Sequence, residues 1–85
     1  NAFYNTDLDV HLRSRGVRTI VLAGISTNVG VEATARAAHE RRYDQIFVED
    51  AMAVRDADAH AGTIKHTFPT IGRVRRAEEV LNALA

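Results

Sequence analysis

The chain has 85 residues, of which 46% are hydrophobic and 26% charged, values typical of one small globular domain. Its formal net charge is +0, so no overall field attracts it to nucleic acid or to an anionic membrane. The absence of cysteine excludes a disulfide framework, a thiol nucleophile and a thiolate metal site. No signal peptide is visible and no apolar run is long enough to span a bilayer, and we expect a cytoplasmic protein.

The first predicted element is a helix that begins near Thr6, the expected N-cap residue. Leu8 and Leu12, with Val10, are expected to form its buried stripe. Gly16 is expected to end the helix as its C′ residue.

A strand, a glycine-bounded loop and a helix follow, at Thr19–Ala23, Gly24–Gly30 and Val31 to about Arg41. The strand is apolar without alternation, which favours a strand covered on both faces, as in a parallel sheet. A strand that restarts as a helix after such a loop places a site at the carboxyl end of a sheet. The unpaired N–H groups and positive dipole of the helix start favour an anion or a developing oxyanion there. If the chain performs chemistry, we expect it at this loop.

The remaining elements continue the alternation of strands and helices. The prediction is a strand at Gln45–Val48, a helix at Ala57–Phe68 between an Asp56 cap and Pro69, a short strand at Gly72–Val74, and a helix at Ala77–Leu84 with Val80, Leu81 and Leu84 inward. This order predicts an α/β fold with a parallel sheet between helical layers. Three strands are few, because such sheets usually have about five or six. We therefore interpret the chain as the carboxyl half of a larger domain, in preference to a sheet that pairs its edge with another chain.

Other polar side chains are open to two interpretations. A hydroxyl at Ser26 or Thr27 needs a base within hydrogen-bond reach to act as a nucleophile, and no histidine lies in the loop, which favours buried capping. The histidines lie at dispersed helix positions, which favours surface roles over a metal site; they are His11, His39, His60 and His66.

Four stretches of the sequence form a more specific pattern. They are Asn1–Leu8, Gly24–Val31, Thr34–Ala38 and Val48–Ala51. In this order and spacing they resemble the carboxyl half of the isochorismatase-like family of hydrolases, also called cysteine hydrolases. The resemblance covers nearly all of residues 1–85 and implies a partial isochorismatase-like domain, with a Rossmann-like three-layer α/β/α fold.

The resemblance also implies how the loop would act. In most members the loop reads G-[VI]-x-T-[DN]-x-C-V, and its cysteine is a nucleophile that works with an Asp and a Lys. Here Gly30 occupies the cysteine position, so no thiol attack starts from it. The Asp and the Lys would both lie upstream of Asn1. A glycine also occurs at this place in the family's isochorismatases, which protonate a vinyl ether and add water without a protein nucleophile, whereas Ser26-Thr27-Asn28 looks more like the amidase-type members.

Several site residues are implied by the same resemblance. A non-proline cis peptide is expected at Ile25–Ser26, and the N–H groups of Ser26 and Gly30 are then candidates for an oxyanion hole. The candidate substrate-binding residues are Phe3, Ile25, Thr27, Asn28 and Val29. Core packing is an equal alternative for Phe3. At the end of the second strand, Glu49 and Asp50 suit acid–base chemistry, but the resemblance favours a structural position for Asp50.

The sequence therefore predicts a hydrolase that acts on a small molecule of vinyl-ether or amide type, without a cysteine nucleophile, a metal ion or another cofactor. We expect a homo-oligomer. The alternative is a catalytically inactive relative that serves as a binding or structural oligomeric module. A nucleotide-binding domain is disfavoured, because the loop lacks the glycine pattern of dinucleotide-binding proteins.

Overall fold

The computed structural model describes residues 1–84. Its elements are α1 Leu8–Ser14, β1 Thr19–Ile25, α2 Glu32–Glu40, β2 Asp44–Ala53, α3 Ala57–Gly62, α4 Phe68–Ile71, β3 Arg73–Arg75 and α5 Ala77–Leu84. Two π-helical turns complete them, Thr27–Val31 before α2 and Thr63–Thr67 between α3 and α4. In the described part of the chain, no helix has the length and apolar character needed to cross a membrane.

The three strands form one parallel sheet in the order β1-β2-β3. Leu22 lies opposite Phe47, which in turn lies opposite Val74. Each crossover passes through at least one helix, as parallel strands require. The predicted α/β fold with a parallel sheet is confirmed.

Helices cover both faces of the sheet. On one face, the core cluster contains Val31, Ala35, Phe47, Met52 and Phe68. The rings of Phe47 and Phe68 stack with centroids 4.0 Å apart, and neither is exposed. On the opposite face, α5 packs against β2. The result is a three-layer α/β/α arrangement.

A second core cluster joins the amino-terminal segment to α2. Phe3 and Tyr43 are both buried, and their rings stack with centroids 5.7 Å apart. Leu8 and Leu12 of α1 pack against this cluster. Gly16 follows the C-cap Arg15 with a φ of 70°, which confirms it as the residue that ends α1.

Two strand predictions needed correction. β2 does not end at Val48 but continues to Ala53. β1 is not covered on both faces, because Val21 is 48% exposed and Ile25 is 77% exposed. β1 is an edge strand among the described residues, so it pairs only with β2.

Several predictions about the helices were also wrong. Asp7, not Thr6, occupies the N-cap position of α1. Val10 is exposed because it lies two positions from both Leu8 and Leu12, away from their shared face. Along α5, Val80 and Leu84 line an open cleft with Val21 and Ile46, so they face the sheet as predicted. They are not fully covered, because Val80 is half-buried and Leu84 is exposed, as is Leu81.

Pro69 does not end the helix that follows β2. The helix continues to Ile71, although Asp56 starts it as predicted by accepting hydrogen bonds from the N–H groups of Asp58 and Ala59. Proline normally clashes with the carbonyl four residues before it. Here the preceding turn, Thr63–Thr67, is widened into a π-helical turn, so the ring is accommodated.

Candidate active site

The connection from β1 to α2 builds the site predicted from the sequence. β1 extends to Ile25, and the Ile25–Ser26 peptide bond is cis, as the resemblance implied. Ser26 is the N-cap residue, and its carbonyl oxygen accepts hydrogen bonds from the N–H groups of Val29 at 3.2 Å and Val31 at 3.0 Å. Gly30 therefore lies within the first turn of a helical segment that continues into α2, and not in a loop before it.

Gly30 lines an open cleft of about 390 Å³ at the carboxyl end of β1. The lining residues are Asn1, Ala2, Leu22, Ala23, Ile25, Gly30, Val31 and Thr34. None of these described residues carries an ionisable side chain, so an acid or a base for the cleft must come from elsewhere. The cleft offers an apolar wall beside the amino end of a helical segment, which carries a positive partial charge.

The backbone at Gly30 accepts a side chain. A Cβ atom built on Gly30 would lie 3.5 Å from the carbonyl oxygen of Ile25, an ordinary van der Waals contact. The φ angle of Gly30 is outside the left-handed region that favours glycine. Neither a close approach nor the backbone conformation requires a glycine at this position.

Of the predicted substrate-binding residues, Ile25 lines the cleft and the others do not. Val29 lies within the π-helical turn and is 64% exposed. Asn28 is half-buried, and its Oδ1 atom is buried without a hydrogen-bond partner among the described residues. Phe3 packs in the second core cluster and does not line the cleft, so the structure places it in the alternative, core position.

Thr27 is fully buried, and a histidine from a distant part of the chain contacts it. The Oγ1 atom of Thr27 lies 2.7 Å from Nδ1 of His60 in α3. Nearby, the Thr63 hydroxyl donates a hydrogen bond of 3.0 Å to Oε1 of Glu32. His60 is half-buried, and the interpretation of the histidines as surface residues did not anticipate this contact. The available sequence signal was the spacing of His60 and Thr63, which places them on one helix face.

Asp50 lies within β2 and contacts the start of α5. Its Oδ1 atom accepts a hydrogen bond of 2.7 Å from the N–H of Ala77, at the start of α5. The Arg76 guanidinium lies 3.7 Å from both Asp50 and Glu49. These contacts give both carboxylates structural partners within the described residues. In residues 1–84, no group of three or more His, Cys, Asp or Glu side chains is arranged to hold a metal ion.

The fold and the cleft define a parallel α/β protein with its candidate site at a strand-to-helix turn. The family model described as the isochorismatase domain matches residues 1–79. The chain belongs to the isochorismatase family, and the resemblance seen in the sequence is confirmed.

Individual relatives agree with this assignment. The chain is 54% identical over 83 residues to an uncharacterized isochorismatase family protein, YecD, from Escherichia coli O157:H7, a match that covers 98% of this chain and 44% of the relative. A solved isochorismatase family protein from Burkholderia thailandensis superposes with a TM-score of 0.95 at 48% identity, again over 98% of this chain and 44% of the other.

A relative with a named activity matches a shorter segment. The ureidoacrylate amidohydrolase RutB from Methylorubrum extorquens is 53% identical over 51 residues, which cover 60% of this chain and 21% of the enzyme. The chain thus spans less than half the length of each of these three relatives.

Proposed function

We propose that this chain forms the carboxyl half of a hydrolase that acts on a small molecule without a cysteine nucleophile. One observation carries the proposal. A chain of the isochorismatase family has Gly30, and not cysteine, at the start of the helical segment beside the β1 cleft. The family assignment and the matching amidohydrolase favour hydrolysis, and the glycine favours water as the attacking group.

The helix start supplies the groups that such a reaction needs from this half. The Ser26 N–H donates no hydrogen bond to any described residue, and Ser26 lies next to Ile25, which lines the cleft. With the Gly30 N–H, it would stabilise an oxygen that gains negative charge. One donor of this kind contributes about 10²–10³-fold to turnover in enzymes where it has been removed. Ile25 and Val29 would supply apolar contacts, and Thr27 and Asn28 would shape the turn.

Two substrate types fit these groups. For a vinyl ether, a carboxylic acid protonates the double bond, water adds to the resulting cation, and the adduct separates into a carbonyl compound and an alcohol. For an amide, water adds to the carbonyl carbon, the oxyanion lies against the two N–H groups, and the amine leaves with a proton. Both routes need an acid or a base that the described cleft lacks.

We propose that residues preceding Asn1 supply these groups, an Asp and a Lys, and also pair with the free edge of β1. The exposed apolar side chains of Val21 and Ile25 support this, because a bare apolar edge strand is prone to aggregation.

The intact mass of the native protein, read with its upstream sequence, tests the proposal directly. If the native protein begins near Asn1, or lacks both the Asp and the Lys, the hydrolase proposal fails. The alternative, a binding or structural module, would then stand. The mass measured under non-denaturing conditions also tests the expected homo-oligomer.

Activity should be measured on the full-length protein with a panel of enolpyruvyl ethers, primary amides and ureido compounds. The matched variants are Gly30→Ala, which adds only a Cβ, and Gly30→Cys, which adds a thiol at the same place. Hydrolysis by the wild type, with ¹⁸O from labelled water in the product, supports direct water attack. Turnover by Gly30→Cys alone would show instead that the wild-type protein lost a thiol-dependent activity.

A further inference from the structure

Two side-chain hydrogen bonds join the segment after β1 to the segment after β2. His60 of α3 contacts the hydroxyl of Thr27 at 2.7 Å, and Thr63 of the following π-helical turn donates to Glu32 at 3.0 Å. In the chain, 33 positions separate Thr27 from His60, and 31 positions separate Glu32 from Thr63. These contacts exist only because the two crossover segments pack side by side.

The two bonds bracket Gly30. Thr27 is the first residue of the π-helical turn, and Glu32 is the first residue of α2. A π-helical turn is rare and occurs mostly as a single turn within an α-helix, frequently at a functional site. Thr27 and Thr63 are both buried, so these hydrogen bonds are shielded from competition with water. His60 and Thr63 lie three positions apart in one helical segment, and together they contact both ends of the turn that carries Gly30.

The geometry excludes a nucleophilic role for Thr27. Its side chain has no exposed surface, does not line the cleft and bonds to the imidazole of His60. A nucleophile must reach the substrate, and this hydroxyl is directed into the protein interior. The imidazole contacts this buried hydroxyl, and His60 does not line the cleft either.

We propose that His60 and Thr63 are positioning residues that hold the helix start carrying Gly30 in the geometry that presents its N–H groups to a ligand. The inference rests on the proposed function, because it assigns these residues a purpose at the same site. Neither residue touches substrate. They act through Thr27 and Glu32. Their loss therefore changes the geometry of the turn, even where the overall fold is kept.

A thiol introduced by Gly30→Cys in the full-length protein provides the test, since it needs no known substrate. A helix start lowers a thiol pKa below about 8.5, because its N–H groups and dipole stabilise the thiolate. The rate of alkylation by iodoacetamide, measured across pH, gives both the pKa and the reactivity. Addition of Thr27→Val or His60→Ala should raise this pKa toward the free value and slow alkylation near neutral pH by about threefold or more.

Conservative variants separate positioning from loss of the fold. Thr27→Ser keeps the hydroxyl and His60→Asn keeps a polar group near the position of Nδ1, so both should restore the original thiol pKa. Tyr43→Phe is the matched control, because it removes the 2.6 Å hydrogen bond to Asp9 far from the turn. It should leave the thiol pKa unchanged.

Equal thiol pKa values and alkylation rates in Thr27→Val, His60→Ala and the control would overturn the proposal, even if all three lose thermal stability. The hydrolase proposal fails by a different result, the absence of turnover by the wild type. The two failures are therefore distinguishable.

Discussion

Gly72 lies so close to Phe47 that no side chain fits between them. A Cβ atom on Gly72 would come within 2.6 Å of Cε2 of Phe47 and within 2.7 Å of the carbonyl oxygen of Gln45. The backbone at Gly72 is extended, with a φ of 178°, so contact and not conformation demands the glycine. This approach joins α4 to β3 directly over the buried aromatic pair.

Gly72→Ala should therefore lower the free energy of unfolding by about 1–3 kcal/mol, because an added atom in a packed core forces shifts of side chains or backbone. Chemical denaturation measures the loss. Gly62→Ala is the matched control, since a Cβ there meets nothing within 4 Å and its φ of −61° is helical. That variant should gain about 0.5–1 kcal/mol. An equal response of the two variants would contradict the packing described.

Phe68→Ala should remove a large part of the core. Phe68 has no exposed surface and stacks on Phe47. Truncation of such a ring costs about 3–5 kcal/mol, through lost burial and the cavity left behind. Tyr4→Ala, at a side chain that is 78% exposed, should change stability by less than about 0.5 kcal/mol. Comparable midpoints of thermal unfolding for the two variants would argue against this core.

Asp50 offers a test between structural and catalytic roles. Asp50→Ala removes the acceptor for the Ala77 N–H and should cost about 0.5–2 kcal/mol, as the loss of a helix cap does. Asp50→Asn keeps an oxygen acceptor, so its unfolding free energy should stay closer to the wild-type value. If Asp50 were the general acid or base, Asp50→Asn would abolish turnover of the full-length protein while it preserved stability. We expect turnover to persist.

Alkaline pH should weaken the second core cluster. Burial and the hydrogen bond to Asp9 raise the pKa of Tyr43 above its usual 10.0. The folded protein therefore keeps the phenolic proton at pH values where the unfolded chain has lost it. The contribution of Tyr43 is complete below pH 10 and is lost as the pH rises further through the folded-state pKa. Urea unfolding at a series of pH values should show this loss in the wild type, and Tyr43→Phe should lack it.

The elements that the sequence predicted best are those whose signals are local. The apolar run from Thr19 and the glycine-bounded turn at Gly30 identified the strand-to-helix connection. Asp56 marked a helix start, which its two accepted hydrogen bonds confirm. Predictions failed where a neighbour decides the outcome. Pro69 continues a helix because the turn before it is widened, and Leu84 is exposed because the cleft that it lines beside the sheet is open.

The predictions about the candidate site succeeded and failed for the same reasons. The strand-to-helix connection at Gly30 followed from residue order, because strand, turn and helix are adjacent in the chain. The structure begins the helical segment at Thr27 and so includes Gly30, which the sequence had placed at the end of a loop. The contact between Thr27 and His60 did not follow from residue order, because 33 residues separate the partners and neither one indicates the other. Phe3 had two possible environments, and its stacking on Tyr43 selected the core.

By itself, the sequence determined the family, the parallel α/β order and the absence of a thiol at the start of the helical segment, since all three depend on residue type and spacing along the chain. Only the tertiary structure decided which face of each strand is buried, which carboxylate caps α5 and which side chains hold the turn at Gly30. Those outcomes depend on packing between segments distant in the chain, where burial and hydrogen-bond geometry arise together.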